Sequence, residues 1–249
     1  MSHFVRIKHT IRLTAILLLT LYFGIILALN IPFVQRKLSV IASNELSQLF
    51  HTEVSIGNID LGLLNRIIIS DLRVKDQAGA DLLYIPRFSA KIDVPALSQQ
   101  KVRVNSVQLF GLEARLQKTS PTSEPNFQFI IDALASKDTV KKEKNIDLRI
   151  NSILIRRGHI AYDVLTAPTT PGKFNASHLN INEFSAMLSL KALTSDSLNA
   201  HIRRMSFTEH SGFHLKQLSV GVMANRHYLR TMKFTLELPN STLKIDTIS

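Results

Sequence analysis

The sequence predicts a mainly β protein that begins with a transmembrane helix and an amphipathic helix. Three observations support this fold class. They are a long apolar run near the N-terminus, a helical hydrophobic period directly after it, and an eight-residue strand pattern that recurs to the end of the chain. The predicted organisation is a cytoplasmic N-terminus at 1–12, a transmembrane signal anchor at 13–31, an amphipathic helix at 32–50 and strand repeats at 51–249.

The predicted anchor is centred on Leu13–Leu29, an uncharged run with the sequence LTAILLLTLYFGIILAL. Extended to Ile11–Ile31 it would form about 31 Å of helix, which matches the hydrocarbon core of a bilayer. Three basic residues precede the run and favour a cytoplasmic N-terminus. A cleavable signal peptide is the alternative, but it has a shorter apolar region and small residues before its cut site. The residues assigned to the anchor are Leu13, Leu17, Leu21, Ile25 and Leu29.

The second predicted helix starts at Pro32, which suits the first position of a helix. Apolar residues then recur at helical spacing, and the opposite side is polar. The apolar positions are Val34, Leu38, Ile41, Ala42, Leu46, Leu49 and Phe50. This pattern is compatible with a helix on the membrane surface, a helix that closes the start of a sheet, or an ordinary core helix.

The strand repeat has apolar residues at places one, three, six and eight, and its clearest copy is Val102–Leu109 (VRVNSVQL). Other complete copies are Val54–Leu61, Leu148–Ile155, Leu179–Ala186, Ala200–Phe207 and Phe213–Val220. Ile67–Val74 departs only at place two, and Leu243–Ser249 begins a further copy. The copies that begin at 102 and 148 also share the sequence Arg-x-Asn-Ser, which supports a true repeat.

Each copy alternates with a period of two and shifts by one residue at places four and five, which we call the phase slip. A β-bulge at the phase slip would return all four apolar side chains to one face of the strand. Phe88, Ala90, Ile92 and Val94 predict a further strand with one apolar face. Either a second sheet covers these faces, as in an antiparallel sandwich, or they stay open. No long helical pattern alternates with the strands, so no helical layer is predicted to cover them.

Composition excludes several classes of function. The net charge of +11 comes from basic residues that are scattered along the polar strand faces, which argues against nucleic acid as a partner. The chain has no cysteine, so disulfides and thiol chemistry are absent. His210 and His214 are separated by Gly212 in a strand setting, which does not fit a zinc-binding helix. With no phosphate-binding glycine loop and no serine elbow, we expect no enzyme, no metal and no cofactor.

Three stretches behind the N-terminal run carry a resemblance to known proteins: Ile31–Gln35 (IPFVQ), Thr52–Leu61 (TEVSIGNIDL) and Leu64–Asp76 (LNRIIISDLRVKD). They resemble the AsmA-like superfamily of cell-envelope proteins, most closely its TamB branch, with the strongest similarity over residues 1–116. The resemblance implies a single-pass bacterial inner-membrane protein with a curved β-sheet in the periplasm. It further implies that the sheet forms an open apolar groove for phospholipid acyl chains.

The same resemblance implies a role in outer-membrane biogenesis and protein secretion. Its expected partners are phospholipid, the inner membrane and an outer-membrane barrel protein of the BamA/TamA type. In the family, a C-terminal region that this sequence does not include meets the barrel partner.

Two functions and one plain alternative follow from the sequence. An uncovered apolar strand face would bind acyl chains, because each buried CH₂ contributes about 0.8 kcal/mol. An open sheet edge would instead bind client strands by β-augmentation. A closed sandwich would do neither. The residues predicted to line the lipid-binding groove are Val54, Ile56, Ile59, Leu61, Ile67, Ile69, Leu72, Val74, Val102, Val104, Val107, Leu109, Leu148, Ile150, Ile153 and Ile155.

Overall fold

The computed structural model describes residues 2–29, 31–62, 65–93, 101–135, 145–147, 151–193, 197–225 and 229–248. The helices in these residues are α1 (Ser2–Leu29), α2 (Pro32–Phe50) and α3 (Gln128–Ala135). The strands are β1 (Val54–Ser55), β2 (Asn58–Gly62), β3 (Arg66–Lys75), β4 (Asp81–Ile92), β5 (Lys101–Phe110), β6 (Glu113–Lys118), β7 (Asn145–Asp147), β8 (Ser152–Val164), β9 (His178–Leu193), β10 (Ser197–Glu209), β11 (His214–Asn225), β12 (Leu229–Leu238) and β13 (Ser241–Ile248). The predicted mainly β class is therefore confirmed.

The described strands form one sheet, in the order β1-β3-β4-β5-β8-β9-β10-β11-β12-β13. Strand β2 extends β1 alongside β3, β6 lies between β4 and β8, and β7 pairs with β5. Two sheets that face each other, which the sandwich alternative requires, are not found among these residues.

The prediction of an antiparallel-type sheet is wrong around β5 and β6, because β8 runs parallel to both of these strands and β7 runs parallel to β5. The physical reason is the long connection between β6 and β8, which includes α3. A hairpin reverses the chain direction, whereas a connection of a dozen or more residues allows the next strand to run the same way. The sheet is therefore mixed.

The predicted phase slip occurs in the folded strands as a bulge. In β5, Val104 is opposite Ile92 and Ser106 is opposite Lys91, so Asn105 at place four is the extra residue. The register of β10 shifts in the same way between Ile202 and Met205, at places four and five of its copy. In β9 the residue at place five, Glu183, has a φ of 53° and coincides with a further register shift.

Two copies of the repeat depart from a single bulged strand. The copy at 54–61 is divided into β1 and β2, with Ile56 and Gly57 between them. The copy at 148–155 does not form one strand, because β8 begins only at its fifth place, Ser152. Its first residues, 148–150, lie outside the described part of the chain.

Strands β5 and β6 follow one line through the sheet with a bend at Gly111. The φ of this glycine is 68°, and an added Cβ would lie 3.3 Å from the Pro86 ring on β4. Its backbone N–H donates to the carbonyl of Arg156 at 2.9 Å. A glycine is required here because both the left-handed backbone and the close approach disfavour a side chain.

Helix α2 closes the first edge of the sheet. The Oγ atom of Ser47 accepts from the backbone N–H of Val54 at 2.9 Å, and the Oγ atom of Ser43 accepts from the N–H of Ile56 at 3.1 Å. An uncovered edge strand would leave these donors available for pairing with another chain. Of the placements compatible with the sequence of α2, this one corresponds to a helix that closes the start of a sheet.

The loops at one end of the later strands are held by a buried acid. Glu209 is only 4% exposed, and its carboxylate accepts from the Ser211 N–H at 2.7 Å and from the Ser211 hydroxyl. It also accepts from the backbone N–H of Asn180 on β9, at 3.2 Å. Burial by itself would raise the pKa of Glu209, but these hydrogen bonds outweigh burial and lower the pKa. Glu209 thus has a structural role.

Histidine and aspartate side chains connect β8 to the start of β9. The Nδ1 atom of His178 lies 3.0 Å from Oδ1 of Asp163, and its Nε2 atom lies 3.1 Å from the carbonyl oxygen of Ala167. The cationic ring can donate to both acceptors at once. The hydrogen bond to Asp163, followed by the one to Ala167, raises the pKa of His178.

We predict that replacing both Ser43 and Ser47 with alanine lowers the free energy of unfolding by about 2 kcal/mol. The reason is that two backbone donors, in β1 and directly after it, lose their acceptors, at about 1 kcal/mol each. Urea unfolding of the full chain, followed by far-UV circular dichroism, measures this change.

Ser39 provides the matched control on the same helix. Its buried Oγ atom has no hydrogen-bond partner among the described residues, so Ser39→Ala should leave the stability unchanged or raise it. Equal losses from Ser39→Ala and from the double variant would contradict the edge-closing role of Ser43 and Ser47.

We predict that His178→Gln lowers the melting temperature more at about pH 5.5 than at about pH 8.5. A pKa that is raised on folding stabilises the folded state fully below the unfolded value of about 6.5. That stabilisation is lost as the pH rises through the folded pKa. Asp163→Asn should reproduce the effect, and the same loss of melting temperature at both pH values would show that the charge on His178 is irrelevant.

Candidate functional site

The register of the sheet aligns apolar residues from ten strands into one row across the strand direction. Each member is directly opposite the next, and directly opposite residues share a face of the sheet. This first apolar row consists of Ile59, Ile69, Phe88, Leu109, Ile155, Ala186, Met205, Leu218, Leu236 and Leu243. Strands that are far apart in the sequence thereby contribute to one continuous apolar strip.

A second apolar row lies beside the first, two residues away along each strand except β10, where the bulge makes the separation between Met205 and Ile202 three residues. It consists of Leu61, Ile67, Ala90, Val107, Ile153, Leu188, Ile202 and Val220. Since side chains point to the same face at every second position, both rows belong to one surface. We call this surface the apolar face.

The repeat pattern explains why apolar residues meet one another in either strand direction. In the antiparallel pair of β2 and β3, places six and eight of one copy are opposite places three and one of the other, as in Ile59 with Ile69. In the parallel pair of β5 and β8, like places meet, as in Leu109 with Ile155. The pattern of places one, three, six and eight is the same when it is reversed, so both directions preserve the face.

The predicted groove residues whose side chains the structure describes are all buried or half-buried. Val54, Ile56, Ile59, Val74 and Val107 are buried, with Val54 only 3% exposed. The half-buried ones are Leu61, Ile67, Ile69, Leu72, Val104, Leu109, Ile153 and Ile155. Val102 lies in β5, whereas Leu148 and Ile150 lie outside the described residues. The first row brings together Ile59, Ile69, Leu109 and Ile155, and the second brings together Leu61, Ile67, Val107 and Ile153.

The remaining predicted groove residues do not belong to these two rows. Val54 is opposite Val74 on the far side of the phase slip, and Leu72 is opposite Ile85. Val104 is opposite Ile92 at the other end of the strands. The structure therefore divides the predicted residues among several parallel rows.

The groove residues predicted from the sequence do not include about half of the members of each row. Phe88 and Ala90 alternate clearly in the sequence, but β4 lacks the repeat that drew attention to the other strands. Leu218 and Met205 belong to complete copies of the repeat, so the sequence signal would have been sufficient to include them, but the predicted set did not contain them. The members on β12 carry no complete copy, so only the cross-strand register identifies them.

Little of the apolar face is covered within the described part of the chain. Contacts between helices and strands there involve only β1 and β2. Most row members from β4 onward are nevertheless half-buried, because neighbouring side chains on the same face shield one another.

Helix α1 presents apolar side chains on all sides. Leu13, Leu17, Leu21 and Ile25, which the sequence assigned to an anchor, are each at least half exposed, and Leu17 reaches 68%. Leu29 ends the helix. Over the described residues, no helix meets the length and hydropathy required to cross a membrane. The predicted transmembrane anchor is therefore not shown and stays a prediction.

Two acidic residues of the first strands, and His214 of the two closely spaced histidines, have structural partners. Asp71 accepts from the Tyr84 hydroxyl at 2.7 Å, and Asp76 accepts from the backbone N–H groups of Ala78 and Ala80 in a turn. His214 Nδ1 lies 2.8 Å from the Thr208 hydroxyl. In the described part of the chain, no three His, Cys, Asp or Glu residues are arranged to hold a metal ion.

Comparison with known proteins gives no match to any protein-family model or to any curated protein. The resemblance to the AsmA-like superfamily therefore stays a prediction from the motifs at 31–35, 52–61 and 64–76.

We predict that cysteines at Leu109 and Ile155 form an intramolecular disulfide on mild oxidation. These residues are directly opposite on neighbouring strands and share the apolar face, at a separation of about 5 Å that a disulfide can bridge. The chain has no native cysteine, so the two introduced thiols are the only ones. Mass spectrometry of the oxidised protein measures the linkage.

The control pair is Leu109→Cys with Leu154→Cys. Leu154 is adjacent to Ile155 but opposite Gln108, so its side chain lies on the other face and should not link to residue 109. Equal disulfide yields in the two pairs would contradict both the parallel register and the assignment of the face.

Proposed function

We propose that the chain carries phospholipid acyl chains along the apolar face, in support of outer-membrane biogenesis. The observation behind the proposal is the first apolar row, which crosses ten strands and, within the described part of the chain, is contacted by helices only at its first strand, β2. A continuous apolar surface of this kind on a soluble domain is either a binding surface or an aggregation hazard. Acyl chains suit it because they need no polar partners.

The binding free energy of such a surface would allow a lipid tail to move along it, because no single position holds the tail much more tightly than its neighbours. Each buried CH₂ of an acyl chain contributes about 0.8 kcal/mol, so a long chain binds well without specific polar contacts. Neighbouring strands are about 4.8 Å apart, and each one offers a similar apolar residue. A tail that leaves one strand's residue therefore meets an equivalent one on the next strand, at little net cost in free energy.

Attachment of the chain to the bacterial inner membrane, with the sheet in the periplasm, is part of the same proposal. Its support is the ring of exposed apolar side chains on α1, since a helix that is apolar all round needs an apolar environment. Helix α1 contacts β2, at the end of the sheet where the apolar rows begin. Lipid held near α1 would thus start close to Ile59 and Leu61.

A second candidate function is strand pairing with a partner such as an outer-membrane barrel protein. The observation that favours it is the outer edge of β13, which no described strand covers. Six of the seven residues at 241–247 are exposed. Backbone groups at an exposed edge can pair with a strand of another protein.

In-cell photocrosslinking should discriminate these functions. We expect a photoreactive residue at Leu188 or Leu218 to form phospholipid adducts, because both positions lie in the apolar rows. Adducts are separated on gels and identified by lipid mass spectrometry.

Ser189 and Ser219 are the matched controls, since each is the next residue on the same strand, is also half-buried, and points to the polar face. We expect no lipid adducts at either serine. An absence of lipid adducts at all four positions would count against an acyl-chain surface and leave strand pairing at the β13 edge as the remaining candidate. Lipid at the serines as often as at the leucines would also count against an acyl-chain surface.

A further inference from the structure

The polar face of the sheet contains a recess of about 560 Å³ that the apolar rows do not explain. Its lining includes Arg66 on β3, Arg87 on β4 and Arg157 on β8. These arginines are far apart in the sequence, and the register of the sheet brings them together. Arg66 and Arg87 alternate with row members such as Ile67 and Phe88, so the recess lies on the opposite side of the sheet from the apolar face.

Arg66 is held in place at the base of the recess. Its Nη1 atom donates to the Ser89 hydroxyl at 3.0 Å and to Oε1 of Gln108 at 2.9 Å. Ser89 is only 3% exposed, and Gln108 is half-buried on the adjacent strand. Among the described residues, only Nη1 of this guanidinium has hydrogen-bond partners, so its other N–H groups are available to a ligand.

Arg87 and Arg157 are exposed and complete the positive lining. Arg157 lies in the bulge between Ile155 and Gly158, where its φ is 53°. Residues other than glycine rarely adopt this backbone conformation, and here it occurs beside the recess.

The charge in the recess has no internal counterpart. None of the described residues that line it is acidic, and none of the three guanidinium groups has a described carboxylate within ion-pair distance. Lys91, directly opposite Arg66 on β4, adds a further positive charge on the same face.

We propose that this recess binds an oxyanion of the phosphate type. Guanidinium groups match phosphate oxygens in pairs of parallel hydrogen bonds, and several of them together balance a doubly charged phosphomonoester. The seryl and amide groups orient Arg66 and do not compete for the anion. The site is independent of the apolar face, because its side chains point to the other side of the sheet.

Isothermal titration calorimetry of the full chain in nonionic detergent micelles tests the proposal. The probes are glycerol 3-phosphate as a soluble phosphomonoester, phosphatidic acid as a lipid with the same group, and diacylglycerol with the same acyl chains but no phosphate. Two results would show binding that depends on the phosphate group. One is a higher affinity for phosphatidic acid than for diacylglycerol, and the other is measurable affinity for glycerol 3-phosphate.

We expect Arg87→Gln combined with Arg157→Gln to weaken phosphate-dependent binding by about tenfold or more. Arg203→Gln combined with Arg204→Gln is the matched control, because it removes the same charge from two exposed arginines of β10 and should change affinity by less than about twofold. Arg66→Lys keeps the charge but lacks the planar fork, so it should also weaken binding. Circular dichroism confirms that each variant is folded.

Each outcome decides the proposal. Binding of glycerol 3-phosphate supports a site for free phosphate esters, and binding of phosphatidic acid alone supports a site for a lipid headgroup. Equal weakening in the two double variants would show general charge attraction and overturn the site, as would the absence of any phosphate-dependent binding. If the full chain binds the phosphate probes but not diacylglycerol, the result counts against lipid binding at the apolar face and still supports the phosphate site.

Discussion

The phase slip at places four and five of each repeat is the constraint on which the structure depends. A β-strand keeps its apolar side chains on one face as long as apolar and polar residues alternate without interruption. These sequences break the period in the middle, so an unbulged strand would turn half of its apolar side chains towards the polar side. The extra residue in the bulge, such as Asn105 in β5, restores the face. The continuity of the apolar rows follows from this local irregularity.

A bulge also lies beside the recess on the polar face. A bulge interrupts the ladder of backbone hydrogen bonds and bends its strand. Arg157 lies in such an irregularity in β8, and Asn105 lies in another in the neighbouring β5. The same kind of irregularity therefore restores the apolar face in β5 and lies beside the arginine recess in β8. The two faces can carry different ligands because alternate residues of the same strands build them.

The amino-acid sequence predicts the faces of this sheet much better than its pairings. Alternation places Ile67 and Ile69 on one side whatever strand lies beside them, because that choice depends only on local geometry. The parallel pairing of β5 with β8 depends on a connection of more than thirty residues between them, whose path no local pattern specifies. The recess around Arg66 was unpredictable for the same reason, since its arginines converge only through the register. Ser43 and Ser47 looked like ordinary polar positions of an amphipathic helix until the edge strand was seen against them.

The reversibility of the repeat pattern has a consequence for how such a sheet can grow in evolution. A duplicated gene segment can return its strand in either direction, according to the length of the connection that comes with it. With a pattern that is identical from both ends, either orientation continues the same strip, as β2 against β3 and β5 against β8 illustrate. The sheet can therefore gain strands in either direction, whereas a motif with an asymmetric pattern would keep its apolar residues aligned in one direction only. A new strand can therefore join the sheet in either orientation and still extend the apolar rows.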